Sequence, residues 1–159
     1  MKYKKIAVGG TFDCLHDGHK SILSKAFELG NQVLIGVTKT KIRNEKKSAA
    51  IQSLKTRVEE LKSFLQARDL LDRAELVFIS DPIGPADKDE ELMGIVVTGK
   101  TRSKAEKINE LRVENGLNKL DIIEIPLVLA DDEKPISSKR IRKGKIDIHG
   151  NLMSEKKEK

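Results

Sequence analysis

GGTFDCLHDGHK, residues 9–20, decides how the rest of the chain is read. Just upstream, Lys5 to Gly9 (KIAVG) is a short apolar run ending on a glycine pair. Downstream, Ile22, Leu23, Ala26 and Phe27 recur at helical spacing until Gly30 stops the pattern. The stretch is therefore the turn between a strand and a helix. It carries His16 and His19 three residues apart, on one face of a helix N-terminus, with Gly18 between them to let backbone approach a ligand closely. Each imidazole, neutral or protonated, can donate a hydrogen bond to a phosphoryl oxygen. A metal site would need a third and a fourth ligand, and only His149 and Cys14 remain among the softer donors, so none is assigned. Helix capping accounts for Asp17 but not for two histidines.

Working outward, the strand–helix alternation repeats. Val33 to Thr38 (VLIGVT) reads as a strand buried on both faces. Leu54, Val58, Leu61 and Leu65 predict an amphipathic helix over 53–67, capped by Ser53 or by the Thr56–Glu59 pair. Leu76 to Ser80 is a third strand, and DPIGPADKDEE (Asp81 to Glu91), with two prolines and a net charge of −4, is a loop. Ile95 to Thr98 is strand four. Ala105, Ile108 and Leu111, stopped at Gly116, mark a helix, and Ile122 to Leu129 is strand five, placed at a sheet edge by Pro126. A short helix follows at ISSKRIR, residues 136–142. This order predicts an α/β fold, a single Rossmann-like domain over residues 1–150 with a five-stranded parallel sheet flanked by helices, and a polar, disordered tail at 151–159. Ligands of such a fold bind at the carboxyl ends of strands, near the point where strand order reverses.

The 159 residues leave room for one core. With five aromatics and no Trp, that core is aliphatic, and base stacking on exposed rings is excluded as a trade. No apolar run approaches the roughly 20 residues of a membrane span, and MKYKKIAVGG has no signal-peptide core, so a soluble cytoplasmic protein without membrane contact is expected. One cysteine, Cys14, excludes an intrachain disulfide. The net charge of +6 is unevenly spread: residues 39–47, 100–104 and 139–145 together carry +12, leaving −6 for the remainder. Each basic segment follows a strand, which fits a discrete polyanion site at one sheet edge better than a coat for nucleic acid.

The pattern GTFDxLHxGH (residues 10–19) together with ISSxxIR (136–142) resembles the nucleotidyltransferase superfamily. DPIGPA (81–86), KINELR (107–112) and KPISSKRIR (134–142) look like the archaeal type of pantetheine-phosphate adenylyltransferase, over about Lys5 to Gly150. That resemblance implies transfer of the adenylyl group of ATP to 4'-phosphopantetheine, with Mg2+ bound mainly through the ATP phosphates, by a monomer with no obligate protein partner. Relatives acting on flavin mononucleotide, nicotinamide mononucleotide or, with CTP, glycerol phosphate share the histidine motif, so it does not choose the acceptor. A non-catalytic nucleotide sensor and an RNA-binding protein are the readings from other classes.

Adenylyl transfer needs positioning and charge neutralisation rather than a protein nucleophile. His19 is expected at the α-phosphate, with Thr11 and the backbone of Gly10, Phe12 and Gly18 beside it, and His16 on the nucleotide phosphates from the same face. Ser137, Ser138 and Arg142 are expected to cradle the β- and γ-phosphates. Asp13 orients the turn or a metal-bound water. Lys39, Lys41, Lys100 and Arg102 are the candidates for the acceptor. Arg57, Lys107 and Arg112 are expected at the solvated surface.

Overall fold

The strand that feeds the histidine turn is longer than its apolar run: β1 spans Tyr3–Gly10, and its alternate residues reach both faces of the sheet. A computed structural model describes residues 2–39, 51–81 and 83–153 of the protein. In chain order β1 is followed by α1 (Asp17–Leu29), β2 (Gly30–Thr38), α2 (Leu54–Ala67), a 3-10 turn (Leu71–Arg73), β3 (Ala74–Ile79), β4 (Gly94–Val97), α3 (Arg102–Glu114), β5 (Asp121–Glu124) and α4 (Ser138–Arg142). The five strands are parallel in the order β3-β2-β1-β4-β5, so strand order reverses between β1 and β4. The expected Rossmann-like α/β fold is the observed one.

Side chains alternate across the sheet, so each central strand feeds two cores. Ile6, Val8, Val33, Ile35 and Val37 pack with Leu23 and Phe27 of α1 and Leu61 and Leu65 of α2. Ala7, Leu34, Ile95 and Val97 pack on the other face with Ala105 and Ile108 of α3 and with Ala86 and Leu92 of the 81–92 loop. Leu61 and Leu65 are wholly buried, each stabilising the fold by about 1.5–3 kcal/mol. α1 passes directly into β2 at Gly30, where the close approach of Ile6 requires glycine: a Cβ there would meet Ile6 Cγ2 at 2.6 Å. Ser53 caps α2, its Oγ accepting from Thr56 N at 3.1 Å.

Three expectations are corrected. Strand five ends at Glu124 rather than Leu129: Ile125 N donates to Val97 O at 2.9 Å as the last rung, and Pro126 has no N–H to continue. Its position at the sheet edge is as expected. Arg57 and Arg112 are not at the surface; they are 1% and 2% exposed. Each guanidinium is spread over four backbone carbonyls: Arg57 donates to Gln52, Thr11, Thr38 and Lys39, and Arg112 to Asn118, Ala86, Asp89 and Leu92. Lys107 is at the surface, beside Glu110. At the C-terminus, Ile146 and Leu152 form an antiparallel bridge and Met153 N donates to Lys145 O, so residues 151–153 are paired onto the domain; 154–159 lie outside the described residues.

Candidate active site

The turn after β1 is built by conformations that non-glycine residues seldom adopt: Phe12 and Cys14 both have positive φ, 56° and 50°. What holds them is Asp13, 2% exposed between them. Its Oδ1 accepts from Gln52 N at 2.8 Å, its Oδ2 pairs with Arg142 Nη1, and its backbone carbonyl accepts from Ser138 Oγ at 2.6 Å. Gln52 also bonds Cys14 N through Oε1, at 2.9 Å. The turn is thus tied to the start of α2 and to α4, and Asp13 orients it.

Capping, expected to account for Asp17 and not for the histidines, in fact uses both histidines: His16 is the N-cap of α1, and the two cap each other. His16 Nδ1 accepts from Gly18 N at 3.1 Å and from His19 N at 3.4 Å, while His19 Nδ1 accepts from His16 N at 3.1 Å. The rings stack, with centroids 3.7 Å apart. A ring nitrogen that accepts from a backbone N–H cannot carry a proton, so both imidazoles are neutral with the proton on Nε2. Burial holds His16 down at about 4, against the opposing pull of the Asp17 and Asp13 carboxylates and with smaller help from Lys100 and Lys20, and burial holds His19 at about 3. Gly18 lines the cleft and also makes room for the His16 ring: a Cβ there would stand 2.9 Å from His16 Cε1. On the other side Asp17 N donates to Ile148 O at 3.0 Å, and His149 Nδ1 lies 3.1 Å from Asp17 Oδ1, which braces α1 from the C-terminal segment.

These residues open onto a cleft of about 260 Å³ at the carboxyl ends of β1 and β4, the reversal point of the sheet. Gly10, Phe12, His16, Gly18 and His19 form one wall, Thr98, Lys100 and Thr101 a second, and Ser137 and Ser138 a third. Ile22, Leu127, Val128 and Ile136 add an apolar lining. Both polar motifs, about 120 residues apart in sequence, therefore meet. The serine hydroxyls are already engaged, Ser137 Oγ accepting from Arg140 N at 3.2 Å and Ser138 donating to Asp13 O.

Several expected residues stand elsewhere. Thr11 does not line the cleft: its carbonyl accepts from Arg57, and its hydroxyl accepts from Thr38 Oγ1 at 3.0 Å. Arg142 is held by Asp13 and is likewise outside the lining. Arg102 is bonded to Glu106 at 3.2 Å and Glu124 at 3.1 Å. Lys39 is exposed at the end of β2, and Lys41 lies outside the described residues. Among the described residues no three His, Cys, Asp or Glu side chains stand together as metal ligands, and no helix is long and apolar enough to cross a membrane.

Residues 7–144 match the family described as cytidylyltransferase-like. The chain is 40% identical over 146 residues to a protein of Methanopyrus kandleri named phosphopantetheine adenylyltransferase, covering 92% of both. It is 40% identical over 152 residues to one of the same name from Methanothermobacter thermautotrophicus, covering 96% of this chain and 91% of that one. Among solved structures, a protein of unknown function from Archaeoglobus fulgidus superposes with a TM-score of 0.64 at 32% identity, covering 76% of this chain and 88% of that one.

Proposed function

The chain belongs to the cytidylyltransferase-like family, and from that premise we propose that it transfers the adenylyl group of ATP to 4'-phosphopantetheine, giving dephospho-coenzyme A and pyrophosphate in coenzyme A biosynthesis. The acceptor follows the name shared by the relatives that match it over nine-tenths of their length. The reaction type is supported by the site itself, and above all by the reciprocal cap of His16 and His19, which leaves each Nε2–H free for an anion.

A phosphate oxygen of the acceptor attacks the α-phosphorus of ATP in line with the bond to the β-phosphate. That bond breaks, and pyrophosphate leaves with the electron pair. Negative charge grows on the non-bridging α oxygens and on the departing group, so preorganised donors serve better than a nucleophile. His19 donates to the α-phosphate, and His16 donates beside it. The Ser137 hydroxyl, which accepts from Arg140 N and keeps its own proton to donate, receives the β- and γ-phosphates, Ser138 ties that wall to the turn through Asp13 O, and Arg142 acts through Asp13 to fix the spacing between the two motifs. The cleft's donor set of imidazole N–H, hydroxyl and ammonium groups suits anions. Magnesium accordingly enters as part of the nucleotide, carried by its phosphates.

The test is pyrophosphate release from ATP or CTP with magnesium against 4'-phosphopantetheine, flavin mononucleotide, nicotinamide mononucleotide and glycerol phosphate. Release with ATP and phosphopantetheine alone is the expected result. Release with CTP but not ATP, or with another acceptor in its place, overturns the assignment and leaves only the family.

A further inference from the structure

The cleft offers many hydrogen-bond donors and very little formal charge. His16 and His19 are neutral for the reasons given above, and the hydroxyls and amides carry none. Of the lysines and arginines among the described residues, Lys100 is the one that lines the cleft. Several cations of the neighbouring segments already have partners: Arg102 has Glu106 and Glu124, Arg140 has Asp132, and Arg142 has Asp13. The Lys100 side chain is exposed and has neither a carboxylate nor a hydrogen-bond partner among the described residues.

Its backbone, in contrast, is fixed. Lys100 N donates to Thr98 Oγ1 at 3.3 Å and Thr98 N to Thr101 Oγ1 at 3.1 Å, so two threonines shape the 98–101 turn at the end of β4. That turn forms one wall of the same cleft whose neighbouring wall carries His16 and His19.

Resting on the adenylyl-transfer reading above, we propose that Lys100 is a catalytic residue of the nucleotide side, its ammonium contacting the α-phosphate and the departing pyrophosphate rather than the acceptor. Transfer moves negative charge onto the leaving group, and a flexible, unpaired ammonium can follow it where fixed neutral donors cannot. The apolar lining from Leu127, Val128 and Ile136 keeps that charge less screened than it would be in water. The geometry separates two residues that the sequence grouped together, Lys100 in the cleft and Arg102 tied outside it.

The experiment compares Lys100→Met, Lys100→Arg and, as a surface control, Lys107→Met in the full chain. Calorimetry with magnesium pyrophosphate and no acceptor reads the nucleotide side; steady-state kinetics with ATP and phosphopantetheine read the rest. For Lys100→Met, pyrophosphate affinity falls at least tenfold and kcat about a hundredfold, with KM for the acceptor within twofold. Lys100→Arg recovers most of both, and Lys107→Met matches the unaltered chain. A raised acceptor KM with unchanged pyrophosphate affinity overturns the proposal. Because the pyrophosphate titration uses no acceptor, it decides Lys100 even if phosphopantetheine proves to be the wrong acceptor.

Discussion

His16 and His19 show how a short motif fixes a protonation state. Each Nδ1 lone pair is taken by a backbone N–H of the same turn, so protonating either ring breaks a helix cap as well as charging a buried group. Two outcomes follow at this scale. His19→Ala lowers kcat about a hundredfold or more with a smaller change in KM, because the contact is made to charge that develops during transfer. The second outcome concerns stability. In the unfolded chain both histidines take up a proton near pH 6.5, whereas in the folded chain they resist until about 4 and about 3. Between pH 6.5 and these values the unfolded state binds more protons, so acidification favours unfolding. From pH 6.5 to 5 the loss is up to about 2 kcal/mol per histidine, seen as a falling urea midpoint. His16→Gln should flatten that slope, and an unchanged slope would mean that the cap does not govern the titration. The motif itself was legible in sequence. The reciprocal cap was not, because it depends on ring orientations that spacing alone leaves open.

At the scale of elements, the strands and helices were legible wherever apolar periodicity was strong, as in α2 with Leu54, Val58, Leu61 and Leu65. They were misjudged where one residue overrides the pattern, as Pro126 does in shortening β5. The two buried arginines are the instructive failure. Charge argues for the surface, and nothing local reveals the carbonyls that receive it. Their positions nevertheless held a signal: Arg57 is three residues after Leu54 and four before Leu61, and Arg112 is four after Ile108, so each sits in the apolar stripe of its helix. Arg57 joins α2 to the ends of β1 and β2 through Thr11, Thr38 and Lys39, which makes it a strut for the catalytic turn. Arg57→Met leaves four carbonyls without that donor and should cost about 3–5 kcal/mol by urea unfolding. Arg57→Lys should recover less than half, since one ammonium cannot span what a planar fork spans. A loss below 1 kcal/mol in the Met variant would mean that water replaces the guanidinium and that the turn stands without it.

For the molecule as a whole, the distribution of charge carries more meaning than its sum. Three segments holding +12 follow strands β2, β4 and β5, on a body that is otherwise −6. Two of them lie near the cleft: Lys100 lines it, and Arg142 in α4 is tied through Asp13 to the turn that forms its first wall. Most of the third, residues 40–47, lies outside the described residues. A positive rim on an acidic body draws a polyanion toward the one face where it can react, and repels it elsewhere. Such steering acts over distances comparable to the Debye length, about 30 Å at 0.01 M salt and 3 Å at 1 M, so it should be strong at low ionic strength and nearly absent at high. The association rate of ATP, followed by stopped flow, should therefore fall about tenfold between 20 and 500 mM potassium chloride (both approximate working concentrations). The dissociation rate, set by short-range contacts to the histidines and serines, should change much less. Replacing Lys139, Lys143 and Lys145 together by glutamine should lower the rate at low salt and reduce its salt dependence, while leaving kcat close to that of the unaltered chain. If instead the dissociation rate carries the salt effect, the basic segments act as contacts in the bound complex, and the charge pattern belongs to affinity rather than to capture.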